Sequence, residues 1–328
     1  MRGTGCRPGL LLQLHRRQNE GMDRSRRQWL SDIALAGLAA GIGNFPAGLS
    51  AQSIHRRPVP ADGRHIPLIG LGSWLTFDVP PEDPRRETCL QVIKAFFEAG
   101  GGMIDSSPMY GYSQDVIGES LRALNFPASL FSATKVWIPG GSVGQRQMEL
   151  AAELWGVERF DLLLVHNLLD WETHLKWLVE WRESGRVGYI GVTTSHGRRH
   201  ADLKQVIRTE PVDFIQLTYN IMNREADRQL LPLAMEHGKA VVINRPFAGG
   251  SLFRRVAGKP LPEWVSEIDC NSWAQFFLKY IVSHPAVTCA IPATSRVDHL
   301  QENMAVLTGR LPGPEMRREM ADYFDAVS

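Results

Sequence analysis

What most constrains this chain is a regular alternation that begins near residue 66, in which short apolar runs are separated by longer amphipathic stretches. The runs predict strands at 68–72, 102–105, 130–135, 161–166, 187–193, 213–218, 240–244 and 288–292. Helical patterns lie near 86–99, 115–124, 146–156, 172–184, 200–209, 225–238, 271–283 and 297–307. Several of these end at a glycine (Gly100, Gly156, Gly185, Gly238), the residue that most easily turns a chain out of a helix. In 172–184, Leu175, Leu178, Val179 and Trp181 form an apolar stripe, with Glu172, Lys176, Glu180 and Arg182 mostly opposite.

Eight strand–helix units in roughly 240 residues is the count and length of a (β/α)₈ TIM barrel, an α/β fold in a single domain. A doubly wound open sheet would place a Gly-x-Gly-x-x-Gly turn after its first strand. The sequence there, Gly70-Leu71-Gly72-Ser73-Trp74, lacks the third glycine, and no helical pattern follows. The Gly- and Pro-rich stretch 248–269 reads as a long loop after the seventh strand, and no linker divides 52–328.

Charge excludes one class of function. Residues 1–51 carry seven Arg against Glu20, Asp23 and Asp32, a net +4, which leaves −3 on residues 52–328 of a chain whose total is +1. A mildly acidic body without a basic block has no electrostatic footprint for nucleic acid. Cys89, Cys270 and Cys289 lack metal-type spacing and read as buried thiols. His196 and His200 stand four apart without a third ligand, so no metal is expected.

The first 51 residues have the layout of an export signal. Ser25-Arg26-Arg27-Gln28-Trp29-Leu30-Ser31 precedes an apolar run at 33–42 and a small-residue patch ending near Ala51. The arginine pair before a moderate apolar run resembles a twin-arginine signal, with transient engagement of that export machinery and a periplasmic or extracytoplasmic destination as expectations. The run is too short for the roughly 20 residues of a membrane span. Met22 reads as the initiator, and cleavage after Ala51 is the expected processing site.

In a barrel the chemistry gathers at the carboxyl ends of the strands. Those ends carry Asp105, Lys135, His166, Thr193-Thr194, Gln216 and Asn244-Arg245, and Tyr110 lies five residues beyond Asp105 in a glycine-bearing loop. An acid, a phenol, an ammonium and an imidazole therefore converge on one mouth. A buried Lys beside an Asp is costly unless the two pair, and such pairs often answer a function. Trp74 and Trp137 are candidates for the wall of a substrate pocket, with Trp171 beside them.

The runs GGGMIDSSPMYGYSQDVIGESL, FSATKVW, DLLLVHN, GYIGVTT and IPATSRVDHLQEN resemble the aldo-keto reductases over about residues 65–308. The resemblance implies a barrel that binds NADP(H) and reduces small-molecule aldehydes or ketones. It assigns Tyr110 as general acid, Lys135 and Asp105 as the pair that tunes it, and His166 as the group that orients the carbonyl. A free phenol titrates near about 10, and Lys135 is expected to lower that value. The resemblance places the nicotinamide and pyrophosphate near Gly72, Ser73, Thr193, Thr194, Gln216, Asn244 and Arg245. The adenosine end falls to Thr294, Ser295, Arg296, Glu302 and Asn303, where Arg296 suits a 2′-phosphate. Thr193-Thr194 stands where many members have Ser-Asn, and Asn244 where many have a ring-stacking Tyr. A catalytically silent nucleotide-binding barrel, acting as sensor or partner subunit, is the rival from another class, and the intact tetrad argues against it. A sugar- or metal-binding barrel isomerase would need a carboxylate cluster that the mouth lacks.

Overall fold

The computed structural model describes residues 54–328. The arginine pair, the apolar run, Met22 and the cleavage position lie outside the described residues. No described helix is long and apolar enough to cross a membrane.

Eight strands form one parallel sheet: β3 (Leu71–Gly72), β4 (Met103–Asp105), β5 (Phe131–Val136), β6 (Phe160–Val165), β7 (Val187–Thr193), β8 (Phe214–Thr218), β9 (Ala240–Asn244) and β10 (Cys289–Ala290). Each pairs with its neighbour in chain order, and parallel bridges Ile69–Ala290 and Gly72–Ala293 join the first strand to the last. The sheet closes on itself as the expected (β/α)₈ barrel, with helices over its outer face. All eight predicted strands are present, and the bounds at 187–193 and 240–244 agree with β7 and β9.

Strand periodicity sorts the core into two shells. Alternate residues Met103, Phe131, Ala133, Leu162, Leu164, Tyr189, Phe214 and Val242 fill the barrel interior. The residues between them, such as Ile104, Leu163, Val165, Ile190, Val192 and Ile215, pack outward against the helices. The described cysteines are free and buried, as expected.

Two elements lie outside the eight expected strand–helix units. An antiparallel hairpin, β1 (Arg56–Pro58) with β2 (His65–Pro67), precedes the barrel. It places Val59 and Ile66 in the interior cluster, and the Arg64 guanidinium lies 4.8 Å from the centre of the Phe131 ring. Its turn signal is Asp62-Gly63, with Gly63 at φ 79° and Asp62 Oδ1 accepting from the Arg64 N–H. A terminal helix, Pro314–Val327, buries Met320, Ala321 and Phe324. Two expectations need correction. The stretch 248–269 contains a helix at Ser251–Arg255 and 3₁₀ turns at Ala248–Gly250 and Glu263–Ile268, so it is not a simple loop. The single helix expected at 225–238 is broken at Gln229 into Glu225–Arg228 and Leu230–Glu236. Pro232 lacks the N–H that would bond the carbonyl of Arg228, and its ring crowds that carbonyl.

Candidate active site

One rule of register builds the mouth. Met103, Ala133, Leu164, Phe214 and Val242 point into the barrel, and a strand returns to the same face every second residue. Two residues further on stand Asp105, Lys135, His166, Gln216 and Asn244. The pairing of Asp105 with Ala133 puts Lys135 one pleat above the carboxylate, within reach of it.

Lys135 is fully buried and Asp105 is 3% exposed. The Lys135 Nζ lies 2.5 Å from Asp105 Oδ2 and also donates to the Ser106 carbonyl at 2.7 Å. Gln216 Nε2 donates to the other carboxylate oxygen at 2.9 Å. Ser73, beside β3, donates to the Asp105 carbonyl at 2.9 Å. Tyr110 is carried in by a turn closed by its own N–H bonding the Ser107 carbonyl, and its hydroxyl is 3.4 Å from Lys135 Nζ. His166 sits edge-on to Tyr110 with ring centres 5.7 Å apart, and its Nδ1 is 2.9 Å from Ser107 Oγ. Asp105, Tyr110, Lys135 and His166 thus form one cluster.

The electrostatics differ from expectation at one group. Burial dominates the Tyr110 phenol and raises its pKa; the Lys135 ammonium pulls the other way and does not prevail, while Asp105 adds to the rise. The expected lowering is therefore not found, because Asp105 already draws on the same ammonium at 2.5 Å whereas the phenol is 3.4 Å from it. Burial also works against the Lys135 charge, but Asp105 and Tyr110 together raise its pKa, so it stays an ammonium. Burial, then the Lys135 charge, push His166 down to about 2. The imidazole is neutral at any physiological pH.

This depression has a consequence for stability. The unfolded chain takes up a proton at His166 below about 6.5 and the folded state does not, so acid favours unfolding. The stability attached to this group is present above pH 6.5 and is lost as pH falls toward 2. Between pH 6.5 and 4.5 the loss is on the order of 2–3 kcal/mol. Urea unfolding of the wild type and His166→Leu at pH 7 and pH 5 should show a pH dependence shallower by about one proton in the variant. Equal slopes would contradict the neutral assignment.

Beside the cluster opens a cavity of about 440 Å³. Gly72, Ser73, Trp74, Asp105, Tyr110, His166, Thr193, Gln216, Asn244 and Arg245 line it, joined by Leu75, Met109, Phe247 and Phe253. The remaining candidates fall outside that lining. Lys135 and Thr194 are buried beneath the cavity surface. Trp137 is 40% exposed and stands edge-on to His166 at 6.4 Å between ring centres, a contact with the tetrad rather than a wall of the cavity. Thr294, Ser295, Arg296, Glu302 and Asn303 lie at the start and along the helix Val297–Met304. There Thr294 Oγ1 accepts from the Arg296 N–H at 3.1 Å, Arg296 pairs with Asp298, Asn303 is buried, and Ser295 is exposed.

Asn244 does not lie free to cover a ring. Its carbonyl accepts from Thr218 Oγ1 at 2.6 Å and its amide donates to the Thr194 carbonyl at 2.9 Å, which ties the tops of β7, β8 and β9 together. Arg245, at φ 50°, crosses over Trp74 with its guanidinium 5.6 Å from the ring centre. That guanidinium has no carboxylate partner among the described residues. No group of three His, Cys, Asp or Glu able to hold a metal occurs among the described residues.

Reading the sequence did not single out Ser107, Asn167, Ser195 or His196 as parts of this site. Asn167, Ser195 and His196 line the cavity, with Ser195 Oγ 3.0 Å from Asn167 Oδ1. Asn167, Leu168 and Asp170 all have positive φ, a strained run directly after His166. Advance signals existed for two of them, since Asn167 follows His166 and Ser195 follows Thr194.

A closed parallel barrel with an acid–base cluster at the carboxyl mouth, beside a deep cavity, is the architecture of a barrel enzyme that works on a small molecule. Comparison with known proteins gives the family: the aldo/keto reductase family model matches residues 68–319, and the chain belongs to that family. It is 25% identical over 256 residues to methylglyoxal reductase YeaE of Escherichia coli, covering 76% of this chain and 89% of that protein. It is 26% identical over 314 residues to an NADH-specific methylglyoxal reductase of the same organism, covering 78% and 95%. An aldo/keto reductase from Klebsiella pneumoniae, solved in complex with NADP and acetate, superposes with a TM-score of 0.68 at 21% identity, covering 83% of this chain and 95% of that one.

Proposed function

We propose that this protein is an NADP(H)-dependent reductase of aldehydes or ketones in which Tyr110 is the general acid. The observation that carries the reading is the packing of Asp105, Lys135, Tyr110 and His166 into one cluster that opens on an apolar-walled cavity. A dinucleotide fits the donor set at two points. Arg245 faces the cavity without a carboxylate partner, which suits a pyrophosphate, and Gln216, whose amide N–H serves Asp105, keeps a carbonyl oxygen for a carboxamide. When bound, the nicotinamide would supply the hydride.

The chain's own residues supply the rest. His166, neutral, donates a hydrogen bond to the carbonyl oxygen and aims its carbon. Tyr110 holds its proton through neutral pH because burial keeps the phenol un-ionised, and releases it to the oxygen as negative charge develops there. Lys135, held by Asp105 and the Ser106 carbonyl, stabilises the phenolate left behind. Trp74, Leu75 and Met109 supply apolar wall at the open side of the cavity, where the body of the substrate would lie.

The test is NADPH oxidation with a panel of carbonyl compounds. The wild type should turn over, and Tyr110→Phe should lower kcat by about a hundredfold or more with its melting temperature little changed. Absence of turnover across the panel, with dinucleotide binding intact, would place the protein among silent nucleotide-binding barrels. Arg296, paired with Asp298 beside the start of the last barrel helix, supports NADPH over NADH, since only the former carries a 2′-phosphate to compete for that guanidinium.

We further propose that residues 1–51 direct export of the folded protein by the twin-arginine route. Arg26→Lys with Arg27→Lys should trap the protein in the cytoplasm, and the exported form should start near residue 52. Undiminished export of the double variant would refute the route.

A further inference from the structure

We propose that Ser107 is a positioning residue that fixes the ring proton of His166 on Nε2, so that the imidazole presents an N–H donor to the cavity. The inference rests on the reading of His166 as the donor to the substrate oxygen.

Ser107 is fully buried, and its Oγ stands 2.9 Å from His166 Nδ1. It is the ring's hydrogen-bond partner among the described residues. The Met109 N–H reaches the same oxygen at 3.4 Å. A backbone N–H can only donate, so it takes one of the two lone pairs of the hydroxyl, and the hydroxyl proton finds no acceptor among the described residues other than Nδ1. A neutral imidazole carries one donor and one acceptor. With Nδ1 accepting, Nε2 must carry the proton.

The rest of the surroundings enforces neutrality but does not choose the tautomer. Tyr110 meets the ring edge-on at 5.7 Å and Trp137 at 6.4 Å, and neither offers an acceptor to Nδ1. The one nearby cation, Lys135, opposes a second ring proton. Without the hydroxyl, the two neutral tautomers differ little in energy. The form protonated on Nδ1 turns a bare lone pair toward the substrate oxygen, where it repels the carbonyl. Ser107 thus sets the fraction of molecules competent to bind a carbonyl productively, without touching the substrate.

Ser107→Ala and Ser107→Thr in the full chain test this. In Ser107→Ala, kcat should fall about tenfold while the Kd for NADPH, followed by fluorescence, is unchanged. In the ¹⁵N spectrum of the imidazoles, the His166 signals should move from a pure Nε2–H pattern to a mixture. Ser107→Thr, which keeps the hydroxyl, should restore both the rate and the pattern. A Ser107→Ala protein with the wild-type rate and an unaltered Nε2–H pattern overturns the proposal, as does a Thr variant no better than Ala. If the wild type reduces no carbonyl, the proposed activity fails, and the ¹⁵N pattern alone still decides for or against Ser107.

Discussion

Lys135→Met is expected to abolish turnover, by a factor of at least about a thousand, and to lower stability by about 3–5 kcal/mol. The two losses have separate causes, and a second variant separates them. Lys135 is fully buried, and its ammonium touches Asp105 at 2.5 Å, the Ser106 carbonyl at 2.7 Å and the Tyr110 hydroxyl at 3.4 Å. Methionine fills most of the volume of lysine, so little of the cost comes from packing. The cost comes from Asp105, left as a buried carboxylate whose remaining side-chain partner is the Gln216 amide. Asp105→Asn combined with Lys135→Met removes that stranded charge. The double variant should recover most of the lost stability in urea unfolding, so that the cycle shows a coupling of several kcal/mol. It should recover none of the activity, because the phenolate formed at Tyr110 still has no cation beside it. A double variant as unstable as Lys135→Met would show that the lysine acts through packing and not through charge.

This pair also shows how far the sequence could be read. The barrel was legible because its eight apolar runs, their spacing and the intervening helical stripes all point to one architecture. The tetrad was legible for a related reason: each strand-borne member stands two residues beyond an inward apolar residue, as Asp105 does beyond Met103 and Lys135 beyond Ala133. Period-two patterning and the rule that barrel chemistry lies at strand ends were enough to place them. What escaped depends on balances that residue types do not reveal. The direction of the Tyr110 shift is set by burial against a cation already engaged by Asp105, and neither the depth nor the 3.4 Å separation is written in the spacing. Ser107 is one serine in a Ser-Ser pair, and only the turn that brings Tyr110 inward shows that it faces His166. Asn244 stands where a stacking ring is common, and only the structure shows that its amide clamps three strand ends. The hairpin before the barrel has no strand signature in the sequence, because its strands are three residues each, too short to show alternation.

Gly118→Ala is expected to be the most damaging of the small substitutions, although helix propensity alone predicts the reverse. Within the helix Ser113–Ala123, alanine should be favoured over glycine by about 1 kcal/mol. The neighbouring helix Gly141–Trp155 forbids it. A Cβ on Gly118 would stand 1.8 Å from the Leu154 carbonyl oxygen and 2.9 Å from the Trp155 Cα. Both obstacles are backbone, so no rotamer change relieves the clash, and the two helices must separate. Trp155 is fully buried and stands edge-on to Phe160 at the start of β6, so the separation loosens the packing beneath the strand that leads into His166. It also tilts the helix that begins three residues after Tyr110. The expected result is a loss of about 3 kcal/mol or more, together with a fall in kcat larger than that of any surface substitution. Gly313→Ala is the matched control, since a Cβ there meets nothing within 4 Å; it should stay within about 0.5 kcal/mol of wild type. Equal urea midpoints for Gly118→Ala and wild type would mean that the two helices do not approach so closely. The distance between the elements that carry Tyr110 and His166 would then have to be set by something other than this crossing.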